Sequence, residues 1–399
     1  MDAYVLDWIG LLLRWAHVIT GIAWIGASFY FVGLDSSLTR PIDESDLAKG
    51  IGGELWAVHG GGFYHQQKYP VAPARLPEHL HWSMWESYST WLTGFALFAI
   101  LYLFNASTFL IDKAVFDWSP AAAIATSLAF FVAFWLIYDG ICRVFGRGKN
   151  GDLIVGALVF AFIVFASWLS CRLFAGRAAF LLVGAMMATT MSANVLIVII
   201  PGQRKVVAAL REGRPVDPVH GQRGKQRSVH NTYFTLPVVF TMISNHYGFA
   251  YGAHYNWLVL VVLMLAGALM RVSFVLRHKA LVEQRPVPWR YAVAGTLVIV
   301  ATVAVLMPAS GPAAPKVAAA PAFAEVEAIV QQRCAACHNA ALASKSVRLD
   351  SAAEIRAHAQ ALYQQAVVLK LMPMNNATQI TDTERAVLGR WYESGASLR

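Results

Sequence analysis

The chain has 399 residues, 57% hydrophobic and only 14% charged, with a mean hydropathy of +0.50. Runs of roughly 20 mostly apolar residues recur, the length that crosses a hydrocarbon core, and this excludes an ordinary soluble globule. In such a chain a net charge of +9 reads first as a Lys/Arg bias in loops on one membrane side, not as a nucleic-acid footprint.

Eight spans are predicted, approximately 5–34, 84–110, 120–145, 152–175, 178–200, 232–250, 254–276 and 289–307. The chain begins MDAYVLDWIG, acidic where a secretory signal is positive, so no signal peptide is expected. Arg14 and His17 lie three apart in the first span, on one helical face. A charged side chain at that depth is costly, which makes the pair a site hypothesis by default. Arg14 is a candidate for holding an anion. His17 is a candidate for proton transfer or for ligating a b-type haem, against the plainer reading that the two hydrogen-bond within the bundle.

The first loop carries His59-Gly60-Gly61-Gly62-Phe63-Tyr64, Lys68 and Glu78-His79-Leu80-His81-Trp82. His-Gly-Gly-Gly resembles the oxyanion loop of lipases, but that class also needs G-x-S-x-G, which the chain lacks. The glycines still allow backbone N–H groups to approach a planar or anionic ligand. His59, Tyr64, Lys68, His81 and Trp82 are therefore candidate substrate-binding residues. Glu78, His79 and His81 form a weak metal candidate. Glu86, followed by Tyr88 and Trp91, opens the second span as a candidate proton acceptor. Cys142 and Cys171 fall at opposite ends of adjacent spans and are expected to be buried free thiols. His230-Asn231-Thr232-Tyr233 opens the sixth span and Ser244-Asn245-His246-Tyr247 closes it. Asn245 and His246 join Arg14, His17 and Glu86 as candidate catalytic residues.

Residues 308–321, PASGPAAPKVAAAP, read as a Pro/Ala tether. They divide a membrane domain (1–308, with the linker at 309–321) from a C-terminal domain (322–399). That domain contains Cys334-Ala335-Ala336-Cys337-His338, the C-x-x-C-H attachment signature of a c-type haem. Cys334 and Cys337 would form the thioethers, and His338 would ligate the iron. A thioredoxin-like pair would sit near a βαβ pattern, and a structural zinc site needs four ligands; neither fits. Helix, C-x-x-C-H, a Met loop and a last helix resemble a class I cytochrome c. Met372 is the favoured sixth ligand, with Met374 the alternative. Haem c is attached outside the cytoplasm, and an even span count puts the N-terminus on that side too. The loops then predicted to be cytoplasmic, with adjoining span ends, hold eighteen Lys and Arg. The opposite connections hold three, Lys113, Arg172 and Arg177. The expectation is an all-α chain, an eight-helix transmembrane bundle followed by a small cytochrome c domain, in a bacterial inner membrane with both termini periplasmic.

RWAHVITGIAWIGASFYF, LWAVHGGGFYHQQKYPVAP, LHWSMWESYSTWLTGF and HNTYFTLPVVFTMISNHYG together resemble the bacterial membrane-bound urate oxidases, or urate hydroxylases. The order of eight spans and a cytochrome c extends that resemblance over essentially the whole chain. In that family the Met loop more often ends in Gly-Asn; here it reads MPMNN, which supplies the second candidate methionine. The resemblance implies oxidation of urate with water to 5-hydroxyisourate. Electrons would pass to the chain's own haem c, then to a periplasmic cytochrome c or a terminal oxidase. Arg14 and Lys68 would supply cations, Tyr64, Trp82 and Trp91 aromatic faces, and a His or Glu the base. No dinucleotide fingerprint is present. The glycine loop and haem c fall on opposite sides of a ~30 Å core. Either the site lies in the bundle toward His17, Asn245 and His246, or a haem b held by His17 and His246 bridges the gap. A non-catalytic respiratory subunit is the other reading; it requires two or more bis-His haem sites, and at most one pair is visible. A related dehydrogenase of another purine is a third.

Overall fold

The computed structural model describes residues 3–70, 73, 75–148, 150–307, 320–342 and 347–398. The linker expected at 309–321 lies outside the described residues except for 320 and 321.

The chain is mostly helical. Its long elements are α1 (Ala3–Ser37), α3 (Trp85–Phe98), α4 (Pro120–Phe145), α5 (Gly151–Leu173), α6 (Gly176–Ala193), α7 (Ile200–Arg211), α8 (Pro218–Ser244), α9 (Asn256–Val282) and α10 (Arg290–Leu306). A short α2 (Glu44–Ala48) follows α1. Local chemistry explains several starts. Ser119 and Asp217 accept from the first-turn amides of α4 and α8, and each helix has proline in its first turn. A π-helical turn at Asn194–Ile199 joins α6 to α7 in one continuous rod, and another at Ala99–Leu103 extends α3.

Among the described residues, five helical segments are long and apolar enough to cross a membrane: Tyr4–Ser37, Pro120–Phe145, Gly151–Leu173, Gly176–Arg211 and Asn256–Val282. The other three expected spans are helical but miss that standard. α10 has 17 residues, α3 opens on the polar stretch Glu86–Thr93, and α8 begins within the charged stretch that holds Arg223, Lys225 and Arg227. Residues 218–231 were expected to be loop. Cationic side chains mark where a bilayer would end, but they do not break a helix. Leu11, Leu12, Trp15, Ile19 and Ile22 of α1 and Val293, Leu297 and Val300 of α10 face outward. An apolar belt of that extent suits hydrocarbon and not water.

α6 is the central helix, with Phe180, Leu182, Val183, Met186 and Met187 buried. Gly184 lets α8 approach closely; a Cβ there would overlap the Thr241 hydroxyl. Small residues at such crossings substitute for the hydrophobic drive that is missing between helices in lipid. Gly184→Ala is expected to destabilise the chain by about 1–3 kcal/mol through overpacking. Adding Thr241→Ala should recover most of the loss, read as the thermal unfolding midpoint in detergent. Equal midpoints for wild type and Gly184→Ala would contradict the packing argument.

The first loop is not irregular, which departs from the all-helical expectation. β1 (Gly53–His59) and β2 (Gly62–Lys68) form an antiparallel hairpin, His59 opposite Gly62. Gly60 and Gly61 have φ of 59° and 81°, values that a two-residue primed turn requires. The glycine run therefore serves chain reversal. No atom comes within 4 Å of a Cβ built at Gly60 or Gly61.

The C-terminal unit has its own core, built on Val326, Val330, Ile355, Leu388 and Trp391. α11 (Phe323–Arg333) and α12 (Asp382–Glu393) pack together, with Phe323 and Trp391 ring centroids 6.1 Å apart. The expected middle helix is divided into Ala352–Ala357, Ala359–Leu362 and a π turn at Tyr363–Val368. The unit rests on one end of the membrane-compatible helices. Gly248 receives the Leu371 side chain, and residues 376–379 border a cavity shared with the connection between α3 and α4.

Candidate functional site

The C-x-x-C-H turn follows directly from α11. The amides of Cys337 and His338 both donate to the Cys334 carbonyl. The two thiols are unbridged, Cys334 buried and Cys337 exposed. Burial pushes the Cys334 thiol up to about 11. His338 donates Nδ1–H to the Val347 carbonyl at 3.1 Å. That bond fixes the tautomer and leaves Nε2 free as a ligand. The Met loop is held from below: Arg385 donates to the carbonyls of Ala366 and Met372, and the Met372 amide donates to Gln365. The Met372–Pro373 peptide is cis. Two thiols, an oriented imidazole and a braced thioether form a donor set suited to covalent haem.

Thr381 and Glu384 form a full capping box at the start of α12. Arg333 bonds the same carboxylate at 2.9 Å and the Thr378 carbonyl at 2.6 Å. The Thr381 amide first, and Arg333 with the Thr381 hydroxyl after it, hold the Glu384 carboxyl below the usual carboxylate range. A depressed carboxyl stabilises the fold above its unfolded value of ~4.3, and that contribution is lost as pH falls through the folded value. Glu384→Gln is therefore expected to lower the midpoint of the C-terminal unit at pH 7 and to flatten its acid dependence. Thermal unfolding with limited proteolysis at several pH values reads both; parallel profiles would refute the assignment.

Directly beneath the Met loop lies a polar cluster. Arg177 in the first turn of α6 donates to the Met374 sulfur at 3.4 Å and lies over the Phe109 ring at 5.6 Å. Tyr102, placed by the π turn after α3, is 2% exposed. Its hydroxyl lies beside the side chains of Asn245 and Arg177 and within the field of Arg14, while Tyr251 shares the field of Arg177. Tyr102 Oη, Asn245 Oδ1 and Arg177 Nε are all buried without a hydrogen-bond partner. The Tyr102 hydroxyl is within reach of both other side chains, and whichever group stays unmet in a dry interior costs roughly 1–3 kcal/mol. Arg177 also stands at the positive end of a helix dipole, where a cation is disfavoured. An anion with acceptor and donor edges would satisfy all three groups.

The expected site residues do not converge. His17 faces α3, whereas Arg14, three residues earlier, is exposed. His17 Nδ1 meets the Thr90 carbonyl and the Thr93 hydroxyl at 3.1 Å, and the ring packs on Gly94. Asn245 joins the cluster; His246, the next residue, is exposed beyond the end of α8. His17 lies ~20 Å along α1 from its first residue, which argues against the expected His17–His246 haem pair. His59, Tyr64 and Lys68 lie on the exposed hairpin, where Lys68 pairs with Asp35. His81, Trp82 and Glu86 follow at the same end of the helices, away from Asn245. The hairpin and Asn245 thus lie at opposite ends of the helices, the separation expected between the glycine loop and the haem side. Trp91 donates to Thr189 and stacks on Phe95, so it serves helix packing. Among the described residues no group of three His, Cys, Asp or Glu is placed to hold a metal ion, so the Glu78, His79 and His81 set does not assemble. Cys142 and Cys171 are buried and unbridged.

Sequence reasoning missed Tyr102, Arg177 and Tyr251. The available signal was Arg177 itself, one of only three cations on its side of the predicted topology.

Taken together, the long apolar helices and the cluster of Tyr102, Arg177 and Asn245, each with a buried polar atom, define a helical, membrane-compatible protein with a polar centre inside it. Residues 3–307 match the urate oxidase N-terminal family, and the chain belongs to that family. No curated protein and no solved structure matches it. Family membership ties the chain to urate and to oxidoreductase chemistry; the match ends where the C-terminal unit begins.

Proposed function

We propose that this chain is a membrane-bound urate oxidase that delivers electrons to a c-type haem on its own C-terminal unit. The observation that carries the reading is the Arg177–Met374 contact. It joins a cluster of unmet buried polar groups to the loop presenting Met372. The overall change balances as urate monoanion plus water giving 5-hydroxyisourate, one proton and two electrons.

In this reading Arg177 holds the urate anion, with Arg14 adding positive field. The Tyr102 hydroxyl and the Asn245 amide bond the polar edges of the ring, and Tyr251 limits the pocket. Fixed donors aimed at developing charge in a water-poor site are the strongest lever available to such a protein. Cys334, Cys337, His338 and Met372 would hold the haem, which supplies one-electron acceptance. Placing the pocket against the Met loop removes the need for a second, intramembrane haem. The chain would cross the membrane eight times, with both ends and the C-terminal unit on the outer side. A reporter active only in the cytoplasm, fused after Asn150, is expected to be active.

The decisive experiment is anaerobic addition of urate to the oxidised, detergent-purified protein, following the haem α-band, with xanthine as control. Reduction by urate alone is expected. Reduction by a quinol but not by urate would instead support a respiratory electron-transfer subunit.

A further inference from the structure

At the opposite end of the helices from the C-terminal unit is a cavity of about 810 Å³. The ends of α4, α7 and α8 and the π turn between α6 and α7 line it. Asp139 is its deepest acid, and it is already bonded twice, by Arg227 and by Arg143, each at 2.6 Å. Three further cations on the wall, Arg147, Lys205 and Arg223, have no acid partner among the described residues. The second lining acid, Asp217, is occupied with the Val219 amide. Arg227 is 4% exposed, its guanidinium lies 4.9 Å from the Tyr138 ring centroid, and its Nη1 is buried with no partner. A buried guanidinium with an unmet N–H, beside three unpaired cations, is a donor set suited to an anion.

The lining also decides the class of anion. Among the described residues it contains no Trp, Tyr or Phe, so a flat heteroaromatic anion such as urate would have only the His220 ring and guanidinium planes to stack on. The excess of positive charge calls for a compact, multiply acceptor-bearing group. We infer that this cavity binds a phosphate ester. Two sources share that chemistry: an anionic phospholipid headgroup and a soluble phosphate. The cavity lies at helix ends, and the outward-facing apolar residues Leu196 and Ile197 stand at its rim, where an acyl chain could run. Basic pockets between helices at a membrane surface bind lipid headgroups by this geometry.

The test uses the full haem-loaded protein in detergent. Its unfolding midpoint is measured against phosphatidylglycerol in mixed micelles, phosphatidylcholine in the same micelles, inorganic phosphate, and chloride at matched ionic strength. The double variant Lys205→Ala/Arg223→Ala replaces exposed wall cations and should fold; Arg227→Gln is a second, deeper probe. Saturable stabilisation by phosphatidylglycerol alone, weakened about tenfold or more in the double variant, is expected for a lipid source. The same response to inorganic phosphate supports the soluble source. No saturable response to either, or an unchanged response in the double variant, overturns the proposal. Stabilisation by urate that the double variant abolishes, without any phosphate response, also overturns it and makes the cavity a substrate site.

Discussion

Arg177→Ala is expected to abolish urate-driven haem reduction while leaving the haem attached and its spectrum intact. Among the described residues Arg177 holds the only guanidinium in contact with both the polar cluster and the Met loop. Removing such a charge donor should lower kcat/KM by roughly 10²–10³-fold. Arg177→Lys should recover little, because a point charge cannot reproduce the planar fork that grips an anion edge. Single-turnover reduction with varied urate separates weaker binding from slower oxidation. Met374→Leu is the control, since it removes only the sulfur contact at 3.4 Å. If Met374→Leu alone reproduces the loss, Arg177 acts by docking the C-terminal unit and not by holding substrate.

The second large effect concerns the sixth ligand. Met372→Leu is expected to lower the haem potential by on the order of 0.1–0.3 V, within the ~0.8 V that axial ligands command. Met374→Leu should leave the potential nearly unchanged. Arg385 braces the Met372 carbonyl at 2.8 Å, and the Met372 amide bonds Gln365 at 3.0 Å. The Met374 sulfur is already engaged by Arg177. A spectroelectrochemical titration of each variant decides the matter, and the opposite ranking would assign the iron to Met374.

The apolar helices were legible because hydropathy runs reflect a solvent, the hydrocarbon core, whose thickness sets their length. Their inner ends were less legible. Nothing in the composition of 218–231 says that α8 continues beyond the apolar stretch. The hairpin at 53–68 was misread as a ligand loop, because a glycine run signals backbone freedom without saying whether a turn or a ligand uses it.

The haem motif and the capping box at Thr381–Glu384 are local chemistry: ligands and caps a few residues apart need only their own turn of chain. So is the class of membrane helix, which follows from side-chain transfer energies alone. The clusters are another matter. Tyr102, Arg177, Asn245 and Tyr251 come from four separate segments, as do Asp139, Lys205 and Arg227 at the other end from three. Which polar groups are left without partners is a property of the packed helices, since each arginine or asparagine can be satisfied or orphaned according to its neighbours. Two π-helical turns, at Ala99–Leu103 and Asn194–Ile199, bring Tyr102 and Asn194 inward. Such turns have no sequence signature, because their cost is met by tertiary contacts and not by the residues that form them.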